Sequence, residues 1–210
     1  GSASEILVDD AEPLDCLAKV QEAQESWDAL VRTLRRRLDL AQNEGERFDL
    51  LVRAGDVYAS RLKEREKAAK AYVAALEVRA DDRNLLSKLM ALYSENKDWS
   101  RLLEVLVRMA GVVDDAKLRG KYFSTAAAIC QGELGDFNQA IEHYERALAF
   151  DPSLDGAFRG MADCLQRTAA WDKLARAYRA HIDRVKDRVT QEQLASLWDN
   201  LGETCQYRLN

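Results

Sequence analysis

The 210-residue chain is 47% apolar and 32% charged, with ten glycines and only two prolines. So few backbone breakers exclude a loop-rich fold and point to an all-helical one, because glycine loosens a helix and proline removes a donor. Thirty-one Lys and Arg against 36 Asp and Glu leave a formal net charge of −5, which argues against a nucleic-acid partner; no apolar run nears the ~18 residues of a membrane span.

In chain order, Gly1-Ser2 looks like an expression scar, and residues 4–10 align at a distance of 72 with residues 76–82. Residues 1–11 therefore read as a scar plus the tail of a preceding helix. Leu14, Leu17 and Ala18 begin an apolar helical stripe. The next helix carries Trp27, Leu30 and Leu34, followed by one with Leu51, Ala54, Gly55 and Tyr58. Residues 66–78 then place Ala68, Tyr72, Ala75 and Leu76 on one face, small residues that let two helices approach closely. Leu86, Leu89, Met90 and Tyr93 mark a further helix at 0, 3, 4, 7 spacing.

From there the pattern repeats. Trp99, Leu102 and Leu106 stand 72 residues after the first tryptophan helix, and Trp171, Leu174 and Tyr178 a further 72 on. Phe123, Ala126, Ala127 and Cys130 follow, then Ala140, Tyr144, Ala147 and Leu148, then Phe158, Met161, Ala162 and Leu165. The last helix carries Trp198, Leu201, Gly202 and Cys205 and has no partner before Asn210. Second-helix starts are spaced alternately by 38 and 34 residues, which predicts extra length between helices in alternate repeats and a 72-residue double unit.

Two segments resemble the tetratricopeptide repeat signature, W-x2-L-G-x2-Y, a turn, an alanine-and-aromatic helix and a proline. Trp198-x2-Leu201-Gly202-x2-Cys205 is similar to the first half, with cysteine for the last aromatic. Gly135-Asp136-Phe137-x2-Ala140-x3-Tyr144-x2-Ala147-x4-Pro152 is similar to the second half at every marker. The resemblance implies an all-α, right-handed α-solenoid of antiparallel helix pairs with about 11 helices. One solenoid domain is expected over 12–210, with repeats at about 12–44, 45–82, 83–116, 117–154, 155–189 and a half repeat at 190–210. Both ends look cut, so a piece of a longer, bacterial array is expected.

The resemblance further implies a non-catalytic scaffold that binds a protein or peptide in a concave groove lined by the first helix of each pair. The alternative is a regulatory sensor whose superhelix responds to a small peptide or metabolite. By register, the groove positions are Asp15, Lys19, Asp49, Asp56, Asn84, Ser87, Lys121, Ser124, Gln131, Arg159, Asp163, Gln166, Asp199, Glu203 and Gln206. A carboxylate clamp, used by one family variant, is absent: Lys19 and Lys121 stand far apart with Asp49 and Asp56 between them. Trp198 and Leu201, lacking a following helix, are expected to mediate end-to-end self-association.

Catalytic chemistry has no foothold in the residues. His143 and His181, the two histidines, sit on different helices without metal-ligand spacing and read as surface or partly buried polar residues. There is no phosphate-binding loop and no nucleophile elbow. Asp9-Asp10, Asp81-Asp82 and Asp114-Asp115 read as helix starts, and Arg35-Arg36-Arg37 as a solvated helix face. Cys16, Cys130, Cys164 and Cys205 form no CxxC pair and read as reduced, mostly buried thiols. No cofactor, metal or membrane insertion is expected, and a cytoplasmic location is.

Overall fold

A computed structural model describes residues 11–208; the tail expected over residues 1–10, with Asp9-Asp10, lies outside the described residues. The described residues form eleven α-helices and no strand. Two compact units meet at Asn96–Lys97, a division that falls between the two helices of the 83–116 repeat.

The first unit holds α1 (Ala11–Ala23), α2 (Trp27–Asp39), α3 (Glu44–Val57), α4 (Arg65–Val78) and α5 (Arg83–Glu95). Ala18 of α1 packs with Leu30, Val31 and Leu34 of α2 and Val57 of α3, with Trp27, Ala54 and Tyr58 at the margin. Burial of this stripe follows the 3, 4 and 7 spacings that put apolar side chains on one helix face. Leu17, placed in the same stripe by sequence, instead points outward and is 44% exposed. On α4 the fully buried Ala68 and Ala75 bracket Tyr72. Their small side chains bring α3 so near that a Cβ on Gly55 would lie 2.4 Å from the Tyr72 ring.

The second unit holds α6 (Trp99–Val112), α7 (Ala116–Ile129), α8 (Phe137–Phe150), α9 (Asp155–Arg167), α10 (Trp171–Val185) and α11 (Gln191–Arg208). Leu102, Leu106, Met109, Phe123, Ala126, Ala140, Ala147, Leu165, Leu174 and Ile182 are all buried there. Tyr144, the counterpart of Tyr72, packs against a different glycine: a Cβ on Gly160 of α9 would meet its ring at 2.4 Å.

The alternating 38- and 34-residue spacing has its cause inside the helices, which corrects the expectation of extra length between them. α3 runs on into a π-helical turn at Tyr58–Leu62, and α7 into another at Cys130–Leu134. Each is closed by a left-handed residue, Lys63 (φ 59°) and Gly135 (φ 69°). The backbone N–H two residues after each turn then reaches back to its first carbonyl, Glu64 to Tyr58 and Asp136 to Cys130, both at 2.9 Å. α1, α5 and α9 end without a π turn, on left-handed Glu25, Lys97 and Ala169. The Ser26 N–H to the Gln21 carbonyl (2.8 Å) and the Ala170 N–H to the Leu165 carbonyl (2.9 Å) complete the usual helix-ending motif. These five positions obey the 72-residue period, so the backbone repeats even where the side chains have diverged.

Asp82 and Asp115 accept from backbone N–H groups as N-caps, and Asn43, Asp98 and Asp136 do the same. Such caps satisfy donors the first turn leaves open, worth roughly 1 kcal/mol each. The basic run is split: Arg35 and Arg36 are exposed, while Arg37 is buried. Arg37 donates to Asp15 at 3.2 Å and to Glu46, so its guanidinium is held charged first by Glu46. Cys130 and Cys164 are buried, with burial pushing both thiols up to about 11, whereas Cys16 is exposed. Cys16 thus departs from the buried thiol expected for it. No helix among the described residues is long and apolar enough to cross a membrane.

Candidate cleft between α9 and α11

Within the second unit, α9, α10 and α11 enclose a cleft of about 650 Å³. Its floor comes from the buried faces of α9 and α10. The Phe158 and His181 rings lie parallel, 3.7 Å between centroids and 4° between planes, and Tyr178 meets Phe158 edge-on at 5.3 Å. The Phe158–His181 pair is stacked face to face, and the edge-on Tyr178 contact adds to burial and fixes ring orientation. His143 and His181 are both buried, more deeply than the surface or partly buried positions expected for them. Burial first lowers the pKa of each imidazole; Arg146 acts in the same direction on His143, and Arg184 on His181, where Asp155 opposes.

Three sequence-expected groove residues line this cleft: Arg159, Asp163 and Gln166. Asp163 is already engaged, accepting from Gln131 Nε2 at 2.7 Å and Arg167 Nε at 2.8 Å. Gln131 in turn accepts from the Tyr144 hydroxyl at 2.8 Å, and burial raises that phenol to about 12. This chain of hydrogen bonds ties the end of α7 to α8 and α9, so Gln131 and Asp163 hold the wall in place. Arg159 is exposed at the rim.

The opposite wall differs from the expectation. α11 lines the cleft with Gln193, Ser196, Leu197 and Asn200, and the α10–α11 connection adds Arg188 and Val189. Asp199 and Gln206 are exposed and outside the lining; Glu203 is also exposed and lies near enough to Tyr178 to help burial raise that phenol. The buried residues of α11 are Leu201 and Thr204, with Leu194 and Leu197 half-buried, a stripe rotated from the sequence-assigned Trp198, Gly202 and Cys205. Its signal was present, since Leu194, Leu197 and Leu201 have the 0, 3, 7 spacing. Leu201 thus faces inward, while Trp198 is 53% exposed. Elsewhere in this unit Lys121 is exposed and Ser124 half-buried; Lys121 contributes to holding the Asp151 carboxyl down, after its Ser153 hydrogen bond.

In the first unit the expected residues are dispersed. Asp56 accepts from the Tyr72 hydroxyl at 2.6 Å and from Lys88 Nζ at 2.5 Å, a pairing that ties α3, α4 and α5 together. Asp49 is exposed beside Arg37 and Arg53 in a shallow hollow, and Lys19, Asn84 and Ser87 are exposed. Among the described residues no three His, Cys, Asp or Glu side chains come together to hold a metal ion.

Residues 125–154 match the family model described as tetratricopeptide repeat. That stretch contains every marker from Gly135 to Pro152. No curated protein matches the chain. Solved structures it resembles include a tetratricopeptide repeat protein from Parabacteroides merdae, at 14% identity and TM-score 0.46, covering 93% of this chain and 73% of that one. MamA from Desulfovibrio magneticus RS-1 resembles it at 14% identity and TM-score 0.43, covering 86% of this chain and 97% of that one. MamA AMB-1 does so at 12% and 0.48, over 87% and 95%. These identities transfer no partner or activity. The described residues form an all-α helical-repeat fold, and residues 125–154 within it match the tetratricopeptide repeat model.

Proposed function

We propose that the chain is a non-catalytic, cytoplasmic protein-interaction scaffold and that the cleft between α9 and α11 receives a peptide or protein segment. The observation that carries this is the pairing of an aromatic floor, Phe158 with His181 and Tyr178, with Arg159 and Arg188 at the rim. An apolar floor with a few convergent polar groups is the general form of a recognition site. The α9 wall is preformed by the Tyr144–Gln131–Asp163 chain, so that wall needs little ordering on binding. The free thiols of Cys130 and Cys164 suit a reducing compartment.

The test is to pan a displayed peptide library against the protein and measure selected peptides by fluorescence anisotropy with wild type and R159E/R188E. Loss of at least tenfold in the variant supports the cleft; equal affinity removes it. A cleft of about 650 Å³ also lies in the size range of small-molecule sites. That favours, as a second reading, a regulatory sensor for a small peptide or metabolite, for which a metabolite raising Tm is the discriminating result.

Self-association is proposed through the exposed aromatic side chains of α11, Trp198 at 53% and Tyr207 at 68%, which stand on opposite sides of the helix and flank its solvent side. Leu201 is buried and takes no part. Light scattering with a concentration-dependent mass, abolished in W198A/Y207A, supports it; a strict monomer at high concentration overturns it.

A further inference from the structure

A different pair of surfaces carries a binding chemistry that neither the inner cleft nor the repeat pattern accounts for. In the first unit, α2 and α4 flank a groove of about 590 Å³ with α3 beneath it. Leu34, Leu38, Leu50 and Leu51 are among its apolar lining, and every charged residue on it is basic: Arg35, Lys67 and Lys70. In the second unit, α8 and α10 flank a groove of about 430 Å³ with α9 beneath it. Leu148, Met161 and Leu165 belong to its apolar lining, and Lys173, Arg176 and Arg184 outnumber the lone acid, Glu145.

Both grooves therefore lie between consecutive second helices, and both join an apolar floor to a basic rim. The chain as a whole is acidic, with a formal charge of −5, so a basic excess on both grooves runs against its composition. The rim is largely uncommitted within the fold. Lys67 bonds to Glu64 at 2.6 Å, and Arg176 reaches the Asp172 carbonyl at 3.2 Å. Arg35, Lys70, Lys173 and Arg184 are exposed. The stems of such residues extend apolar surface while their charged ends stay in water.

We infer that these outer grooves dock acidic amphipathic helices, whose apolar ridge enters the floor while Glu and Asp side chains on its flanks meet the basic rims. A groove between two helices accepts the ridge of a third, because side-chain rows spaced by three and four residues interdigitate. The volumes admit a few apolar side chains and leave the rest of the ligand outside, where rim charges act on it. Rim contacts of this type set orientation and encounter rate and weaken with salt.

The probe is a stapled helical peptide of about 15 residues with leucines at 0, 3, 7 and 10 and glutamates flanking them. A lysine-flanked version and a proline-broken version serve as controls. Fluorescence anisotropy on the whole chain is expected to show binding of the acidic helix, weakened at least tenfold by raised salt. The combined variant R35E/K70E/K173E/R176E is expected to lose at least tenfold, with its circular dichroism unchanged because all four positions are exposed. R159E/R188E is expected to bind it as wild type does, which separates these grooves from the inner cleft. R35K/R176K, which keeps the charges, is expected to retain binding. No binding up to about 1 mM, equal binding of the lysine-flanked helix, equal binding of the proline-broken peptide, or sensitivity to R159E/R188E alone overturns the inference.

Discussion

The His181 imidazole lies flat against the Phe158 ring, 3.7 Å between centroids, and this stack lines both the inner cleft and the outer groove of the second unit. It is a buried titratable group placed where two surfaces share a wall. His143, the second buried histidine, lies beside Phe123 with a centroid distance of 6.2 Å.

Burial lowers the pKa of both imidazoles, so the unfolded chain binds protons more readily than the folded one. Stability is then full above the unfolded value of about 6.5 and falls as pH drops below it, by at most about 1.4 kcal/mol per pH unit for each histidine. Urea midpoints are expected to fall between pH 7.5 and 5. H181F, which keeps an aromatic partner for Phe158, is expected to reduce that dependence.

Gly55 and Gly160 are fixed by ring contact. A methyl at either would press on Tyr72 or Tyr144 at 2.4 Å. G55A and G160A are each expected to cost about 1–3 kcal/mol in urea unfolding, the usual penalty for overpacking. G160A is also expected to disturb the Tyr144 hydroxyl bond to Gln131 and with it the cleft wall. G156A is the control, since a Cβ at Gly156 meets nothing within 4 Å.

Ala169 is exposed and left-handed at φ 52°, where glycine carries no steric penalty. A169G is expected to stabilise the chain by up to about 1 kcal/mol. G135A, at φ 69°, is expected to destabilise it by about the same amount. Differential scanning calorimetry of the two variants should show Tm shifts of opposite sign.

The helices and their 72-residue period were legible because tryptophan, alanine and tyrosine markers recur at fixed distances. The π turns were not: a turn of that kind requires one extra residue per turn but no particular residue type, so Tyr58–Leu62 and Cys130–Leu134 share no motif. The cleft was half legible. Arg159, Asp163 and Gln166 follow from register on α9, whereas the α11 wall depends on how that helix is rotated against α10. Trp198 outweighed Leu194 and Leu197 as a marker, and the rotation inferred from it displaced Gln193, Ser196 and Asn200 in favour of Asp199 and Glu203. Arg188, in a connection between helices, has no periodic signal at all.

Amide hydrogen exchange with a panned peptide bound tests the central claim most directly. Added protection confined to 155–166, 178–181 and 188–200, lost in R159E/R188E, is the predicted result. Protection elsewhere, or protection that survives in R159E/R188E, would contradict a binding cleft between α9 and α11.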